Sequence, residues 1–236
     1  IVPLMVLFYI GACLLVLGNH LQALPLAFVL VVKSAFTGQA ATGGFVGAGI
    51  MLAIQSGIAR GVFSNESGLG SAPIAAAAGR TNSCVRQGLV SMTGTFFDTL
   101  IICTMTGLTL IVTDVWSGDL AGAAMTTHAF AKGLNSIFYG PMLVSIGLML
   151  FAFTTIIGWN YYGERCVAYL FGVKAILPYK VFFLVLVAGG AFIQLDMIWI
   201  IADIVNGLMA IPNLLGLVLL RHVIIDETKL FFAKIK

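Results

Sequence analysis

Charge is what this sequence has least of. Of its 236 residues, 9% are charged and 60% are hydrophobic, where soluble globular domains carry roughly 25% charged residues. A soluble core of this size cannot hide so much apolar surface, so a water-soluble fold is excluded and an integral membrane protein is expected. Basic clusters with interleaved aromatics are absent, which excludes a nucleic-acid partner. The four cysteines, Cys13, Cys84, Cys103 and Cys166, include no CxxC pair. They read as free thiols rather than as a metal or disulfide framework. No HExxH, GxSxG or P-loop string occurs, so catalysis has no motif to rest on. The chain also lacks an initial Met. Ile1 lies inside an apolar run that has neither the charged flank nor the cleavage site of a signal peptide. It reads as the C-terminal part of a longer protein whose N-terminal half is absent.

What is abundant is apolar run and glycine, the latter at 27 residues. Glycine permits close helix contact in membranes. Long uncharged stretches predict an all-α membrane fold with six spans, at 1–18, 38–59, 88–112, 137–159, 180–195 and 197–220. Residues 21–36 carry Pro25 and Lys33 and read as an interfacial or partly inserted segment. Residues 60–87 read as a polar loop with a short Ala-rich helix after Pro73. Residues 113–136 read as a second loop with a surface helix near 120–132. Residues 1–220 thus form a transmembrane domain, and the basic, amphipathic 221–236 suits a membrane surface.

These spans sort the basic residues sharply. Arg60, Arg80, Arg86, Arg165, Lys174, Lys180, Arg221, Lys229, Lys234 and Lys236 fall on one side, Lys33 and Lys132 on the other. The positive-inside rule places the larger set, and the C-terminus, in the cytoplasm.

Polar residues inside the spans are the candidates for function. Thr42, Gly43, Gly44, Phe45 and Gly47 lie in the second span, where paired glycines weaken a helix by about 1 kcal/mol each. A break there frees backbone groups to line a cavity. The alternative is tight packing, since Gly43 and Gly47 also form a GxxxG spacing. In the third span a straight α-helix puts Ser91, Thr95, Asp98, Thr99, Thr106 and Thr109 on one face. Asp98 is an ionisable group within a span and hence a functional candidate, or a structural carboxylate bonded to a neighbouring helix. In the fourth span Thr155 and Trp159 share a face, suiting a compact pocket wall. Thr154 beside them adds oxygen for a hard cation, a preference extended here from calcium to sodium. Tyr161 and Tyr162 suit interfacial anchoring. In the sixth span Asp203, Asn206, Gly207, Ala210 and Asn213 share a face, and Pro212 weakens the helix between them. Arg60, Asn65 and Glu66 sit in the polar loop, where Arg60 and Glu66 suit gate-like ion pairing or a solvated, helix-capping role.

Several strings together resemble one family. They are Ala40–Ala48 (AATGGFVGA), Arg60–Pro73 (RGVFSNESGLGSAP), Phe97-Asp98-Thr99 with Cys103–Thr106 (CTMT), Phe151–Trp159 (FAFTTIIGW) with Tyr161–Glu164 (YYGE), and Asp203–Asn213 (DIVNGLMAIPN). The chain is similar along its whole length to the alanine or glycine:cation symporters, sodium-coupled amino-acid carriers of bacteria and archaea. Ser67 stands where that family more often has Ala, and Ala75–Ala78 where it often has an HAAA-like run. The resemblance implies a leucine-transporter-like fold of two inverted five-helix repeats. Residues 1–18 would be the fifth core helix and the other spans the second repeat.

It further implies that Thr42, Gly43, Gly44, Phe45 and Gly47 form a broken, substrate-binding helix. By the same resemblance Thr155 and Trp159 contact the substrate, and Thr154 and Thr155 lie at a sodium site. The substrate would be alanine or glycine, the coupling ion sodium, and the location the plasma membrane, the inner membrane in bacteria. The family's first broken helix, with a GTGN-like motif, has no counterpart here, which implies that this stretch alone is inactive. The residues alone also suit an ion channel or ion-binding subunit, or an intramembrane enzyme using Asp98 and Asp203 as a carboxylate pair.

Overall fold

In the computed structural model residues 2–36 and 50–234 are described, with backbone only at Phe36 and 50–53. These residues are helix and turn, with no strand among them. The helices are α1 (Val2–Asn19), α2 (Leu24–Phe36), α3 (Ile50–Asn65), α4 (Ala72–Ala76), α5 (Cys84–Thr95), α6 (Thr104–Val112), α7 (Gly122–Gly133), α8 (Tyr139–Phe171), α9 (Ile176–Gly190), α10 (Leu195–Leu219) and α11 (Arg221–Ala233). A 3-10 turn, Leu21–Ala23, leads into α2, and wide π turns over Phe96–Cys103 join α5 to α6.

Among the described residues, five helical stretches are long and apolar enough to cross a bilayer: Val2–Asn19, Cys84–Val112, Tyr139–Phe171, Val173–Gly190 and Leu195–Leu219. The chain is an all-α, multi-pass membrane protein. The five ranges overlap the first and the last four expected spans. Of the expected span 38–59, residues 38–49 lie outside the described ones, and the remainder belongs to α3.

Local chemistry sets several helix ends. Ser83, extended at φ −146°, accepts the Arg86 N–H and caps α5. This starts the third span at Cys84 rather than at 88. Pro141 falls in the first turn of α8, where its missing N–H costs nothing. The helix then runs 33 residues to Phe171, about 50 Å at 1.5 Å per residue. That exceeds the roughly 30 Å hydrocarbon layer, so the end carrying Tyr161–Arg165 is helical rather than loop and projects beyond it. Gly172, at φ +81°, stops it. Pro212 does not divide α10. The helix continues through it, minus the one hydrogen bond that proline cannot donate.

The chain forms two compact units, one of residues 1–58 with 98–155 and the other of 59–97 with 156–236. In the first unit, Ala12, Cys13 and Val16 of α1, Phe130 of α7 and Val144 of α8 form a buried core, with Tyr9, Met105, Leu134 and Leu143 around it. Phe130 is fully buried, so α7 is a core element and not the surface helix expected near 120–132. Its C-terminal end approaches its neighbours closely. A Cβ on Gly133 would overlap Val16, and one on Gly140 would overlap the backbone of Phe130 and Ala131. The Tyr9 ring meets Phe151 edge-on at 5.4 Å.

In the second unit, α3 ends at Asn65, so Arg60–Asn65, expected in a polar loop, are the last turns of a helix. Helices α5 and α11 flank an apolar groove, and α9 is tied to the end of α8 by Lys180 and Glu164, 2.8 Å apart.

Candidate functional site

Two polar ties join the end of α3 and the loop after it to α10, within the second unit. The first is electrostatic. Arg60 Nη1 and Nη2 donate to Asp203 Oδ1 and Oδ2 at 2.9 and 3.1 Å, a bidentate fork. The Arg60 guanidinium also lies 4.1 Å from the centre of the Trp199 ring, within cation–π range. Phe63 holds that ring from the side, edge-on at 5.2 Å. Asp203 lies within a membrane-crossing helix, where an unpaired carboxylate is costly, and Arg60 supplies its counter-charge. Glu66 is not the carboxylate that faces Arg60, which corrects the expectation of pairing between those two.

The second tie is a loop built for close approach. Asn65 Oδ1 accepts the Ser67 N–H at 3.0 Å, an Asx turn that starts the reversal. Glu66 follows at φ +54°, and its carboxylate accepts from Ser71 Oγ at 2.7 Å. Ser71 is buried, so this bond is shielded from competing water. Asn213, on α10 beyond Asp203, donates through Nδ2 to the Gly68 carbonyl at 2.9 Å. Gly70 lies at φ +84°, and a Cβ there would stand 3.2 Å from Asn213 Cβ. Only glycine meets both demands at no cost. Asn206, half-buried between the two tie points along α10, makes no hydrogen bond among the described residues.

The same loop reaches α8. The Tyr162 hydroxyl lies near the Glu66 carboxylate. Tyr162 in turn meets Trp159 edge-on at 5.6 Å. Trp159, a candidate pocket wall, thus stands beside Tyr162, the neighbour of Glu66. Tyr161 has a different neighbour, the Arg165 guanidinium 5.0 Å from its ring centre.

In the first unit the polar residues turn inward on their own helices. Thr106, Thr109 and Thr113 donate to backbone carbonyls of Ile102, Met105 and Thr109, each at 2.8 Å. Such back-bonding satisfies a hydroxyl inside a membrane helix. Thr106 also pairs with the Tyr9 hydroxyl at 2.7 Å. Asp98 sits in the π turns, with the Thr99 hydroxyl at 3.5 Å. The expected stripe from Ser91 to Thr109 assumes 100° per residue throughout. The wide turns over Phe96–Cys103 break that phase, so the stripe is not one continuous face.

Thr154 donates to the Phe151 and Leu150 carbonyls at 2.9 and 3.1 Å and faces Met5 Sδ at 3.5 Å. A hydroxyl that gives its proton to the backbone keeps oxygen lone pairs for a cation. Thr155 is exposed and Trp159 half-buried, one turn further along α8. Thr42, Gly43, Gly44, Phe45 and Gly47 lie outside the described residues. No group of His, Cys, Asp and Glu that suits a metal occurs among the described residues.

The structure therefore brings Arg60 onto Asp203 and, further along α10, Gly68 onto Asn213; separately it sets Tyr162 beside Trp159 and near Glu66. Sequence reasoning passed over Trp199, Ser71 and the pairing role of Tyr162. Trp199 had a readable signal, since it precedes Asp203 by one helical turn and shares its face.

A model described as the sodium:alanine symporter family matches residues 1–236. The chain is 56% identical to a Haemophilus influenzae protein described as an uncharacterized transporter, over 100% of this chain and 52% of that protein. It is 47% identical to the sodium/alanine symporter AgcS of Methanococcus maripaludis, over 98% of this chain and 50% of the relative. A third relative, described as "Probable sodium/glutamine symporter GlnT" of Bacillus subtilis, is 36% identical over 97% of this chain and 47% of its own length. The chain spans about half the length of the curated relatives it matches.

Proposed function

The chain belongs to the sodium:alanine symporter family, and from that membership we propose that it serves sodium-coupled symport of a small neutral amino acid, alanine or glycine, by alternating access. The observation that carries this reading is the 47% identity, along 98% of the chain, to a protein named as a sodium/alanine symporter. The proposed fold is leucine-transporter-like, in the bacterial inner membrane, with a cytoplasmic C-terminus and α11 on the inner surface.

In this reading Thr42–Gly47 is a helix break whose freed backbone groups take the substrate's carboxylate and amine. Thr155 and Trp159 close the pocket around a small side chain, and Thr154 and Thr155 offer hydroxyl oxygen to sodium. Two features of the described geometry support this. The Thr154 hydroxyl spends its proton on its own backbone, which leaves its oxygen able to accept. The edge-on Trp159–Tyr162 contact, with Tyr162 near Glu66, sets the pocket wall close to the loop after α3. Arg60–Asp203 then acts as a gating or positioning pair that holds α3 to α10 in one conformation.

Uptake of radiolabelled alanine by the intact protein in proteoliposomes tests the proposal. Accumulation that requires an inward sodium gradient, and is competed by glycine but not by glutamine, is the expected result. Sodium current without substrate movement would favour a channel instead. Consumption of a substrate without transport would favour an enzyme, and both would overturn the symport reading.

A further inference from the structure

The start of α5 carries a feature that transport does not use. Arg80, Thr81, Asn82, Arg86 and Gln87 line a polar cleft of about 270 Å³ just before and within its first turn. Both arginines are exposed, and neither takes part in an ion pair among the described residues. Every other guanidinium within α3 or α8 has a carboxylate beside it, Arg60 with Asp203 and Arg165 with Glu164. Two arginines lining one cleft, flanked by hydroxyl and amide donors, are the donor set that recognises a phosphate oxygen cluster.

The surroundings choose among phosphates. The polar cleft shares Thr81 and Gln87 with a second cleft walled by Ala72, Pro73 and Ala76. That cleft in turn shares Cys84 and Gly88 with an apolar groove of about 480 Å³ between α5 and α11. The groove walls are Val85, Leu89 and Met92 on one side and Val223, Ile224 and Phe232 on the other. Glu227 is the one charged residue lining it, and its charge keeps a phosphate out of this groove and on the arginines. A dibasic pocket thus runs around α5 into an apolar channel, at the end of a membrane-crossing helix. Soluble phosphate fits only the first part. A molecule with an anionic head and a hydrocarbon tail fits both, and basic pockets beside membrane helices bind anionic lipid head groups.

We propose that Arg80 and Arg86 bind the phosphate of an anionic phospholipid whose acyl chain lies along Cys84 and Gly88 into the α5–α11 groove. The site rests on the membrane placement of α5 and is independent of the transported substrate. Its consequence is that α11 is held against α5 by lipid as well as by protein contact.

Native mass spectrometry of the intact protein, purified in equimolar phosphatidylglycerol and phosphatidylcholine, tests this. Phosphatidylglycerol is expected to be retained in preference. Arg80→Gln with Arg86→Gln is expected to lower its affinity about thirtyfold, from roughly fivefold per surface arginine. Both side chains are exposed and unpaired, so folding does not depend on them. Gly88→Phe fills the groove, since nothing lies within 4 Å of a Cβ built there, and is expected to cut retention with the arginines intact. Should that variant fold poorly, Val223→Trp fills the groove from α11. Equal retention of the two lipids would overturn the proposal, as would unchanged retention in the double arginine variant. Displacement of the lipid by millimolar inorganic phosphate would make this a free-anion site and overturn the lipid assignment, and retention unaffected by the filled groove would do the same for the acyl chain.

Discussion

Removal of the Arg60–Asp203 fork is the most informative single perturbation of this protein. A fully exposed ion pair couples its partners by about 0.2–1 kcal/mol. Breaking a fully buried one costs about 3–5 kcal/mol, because the survivor is left charged and unpaired. The Arg60 and Asp203 side chains are 41% and 43% exposed, so this pair belongs between the two limits and nearer the first. The bidentate geometry and the Trp199 ring, itself worth about 0.5–1 kcal/mol, add to it. The expected coupling is about 1.5–2 kcal/mol, a factor of about 12–30. The assay is a double-mutant cycle of Arg60→Gln and Asp203→Asn, read on unfolding in detergent and on sodium-driven alanine uptake. Each single change should cost more than the second change adds. Exchange of the charges, Arg60→Asp with Asp203→Arg, should recover part of the loss. Trp199→Leu should lower the coupling by the cation–π share. Additivity within about 0.3–0.5 kcal/mol would mean that the two residues do not act together, and the tie between α3 and α10 would then have no energetic content.

Three further outcomes follow from single contacts. Gly140→Ala places a methyl on the backbone of Phe130 and Ala131, which cannot rotate away, and should cost about 1–3 kcal/mol in a detergent unfolding assay; Gly147→Ala, with only Tyr9 Cδ2 at 3.6 Å, is the tolerated control. Thr154→Val removes the hydroxyl oxygen while keeping the shape, and should raise the sodium concentration for half-maximal uptake about tenfold, one lost oxygen ligand being worth about 1.4 kcal/mol; Thr154→Ser should retain wild-type behaviour, and unchanged sodium dependence in the valine variant would remove Thr154 from the ion site. Trp159→Ala should weaken alanine binding in an equilibrium assay, and unchanged affinity would take Trp159 out of the pocket.

Much of the helical framework was legible because its causes are local. A run without charge must leave water wherever it lies in the chain, and Ser83 or Gly172 act on their own backbone. What failed did so for stated physical reasons. The composition of α7, with Thr126, Thr127 and His128, is that of an exposed helix, and only the approach of α1 and α8 makes Phe130 a core residue. The π turns over Phe96–Cys103 carry no signature in hydropathy, yet they decide which faces Asp98 and Thr106 share. The loop after α3 was recognised by its Gly, Ser and Asn content. Its partners on α10 and α8 were not, since Asn213 and Tyr162 read equally well as packing or interfacial residues.

The sequence by itself determined the membrane class and the family, because hydropathy and motif spacing are properties of short stretches and do not depend on what packs against them. Tertiary structure decided which charge Arg60 meets. Glu66 is six residues away and Asp203 is 143, and proximity along the chain favours the first. The fold reverses that preference because α10 carries its carboxylate within a membrane-crossing helix, where a lone charge is costly, beside a Trp199 ring that completes the seat for a guanidinium.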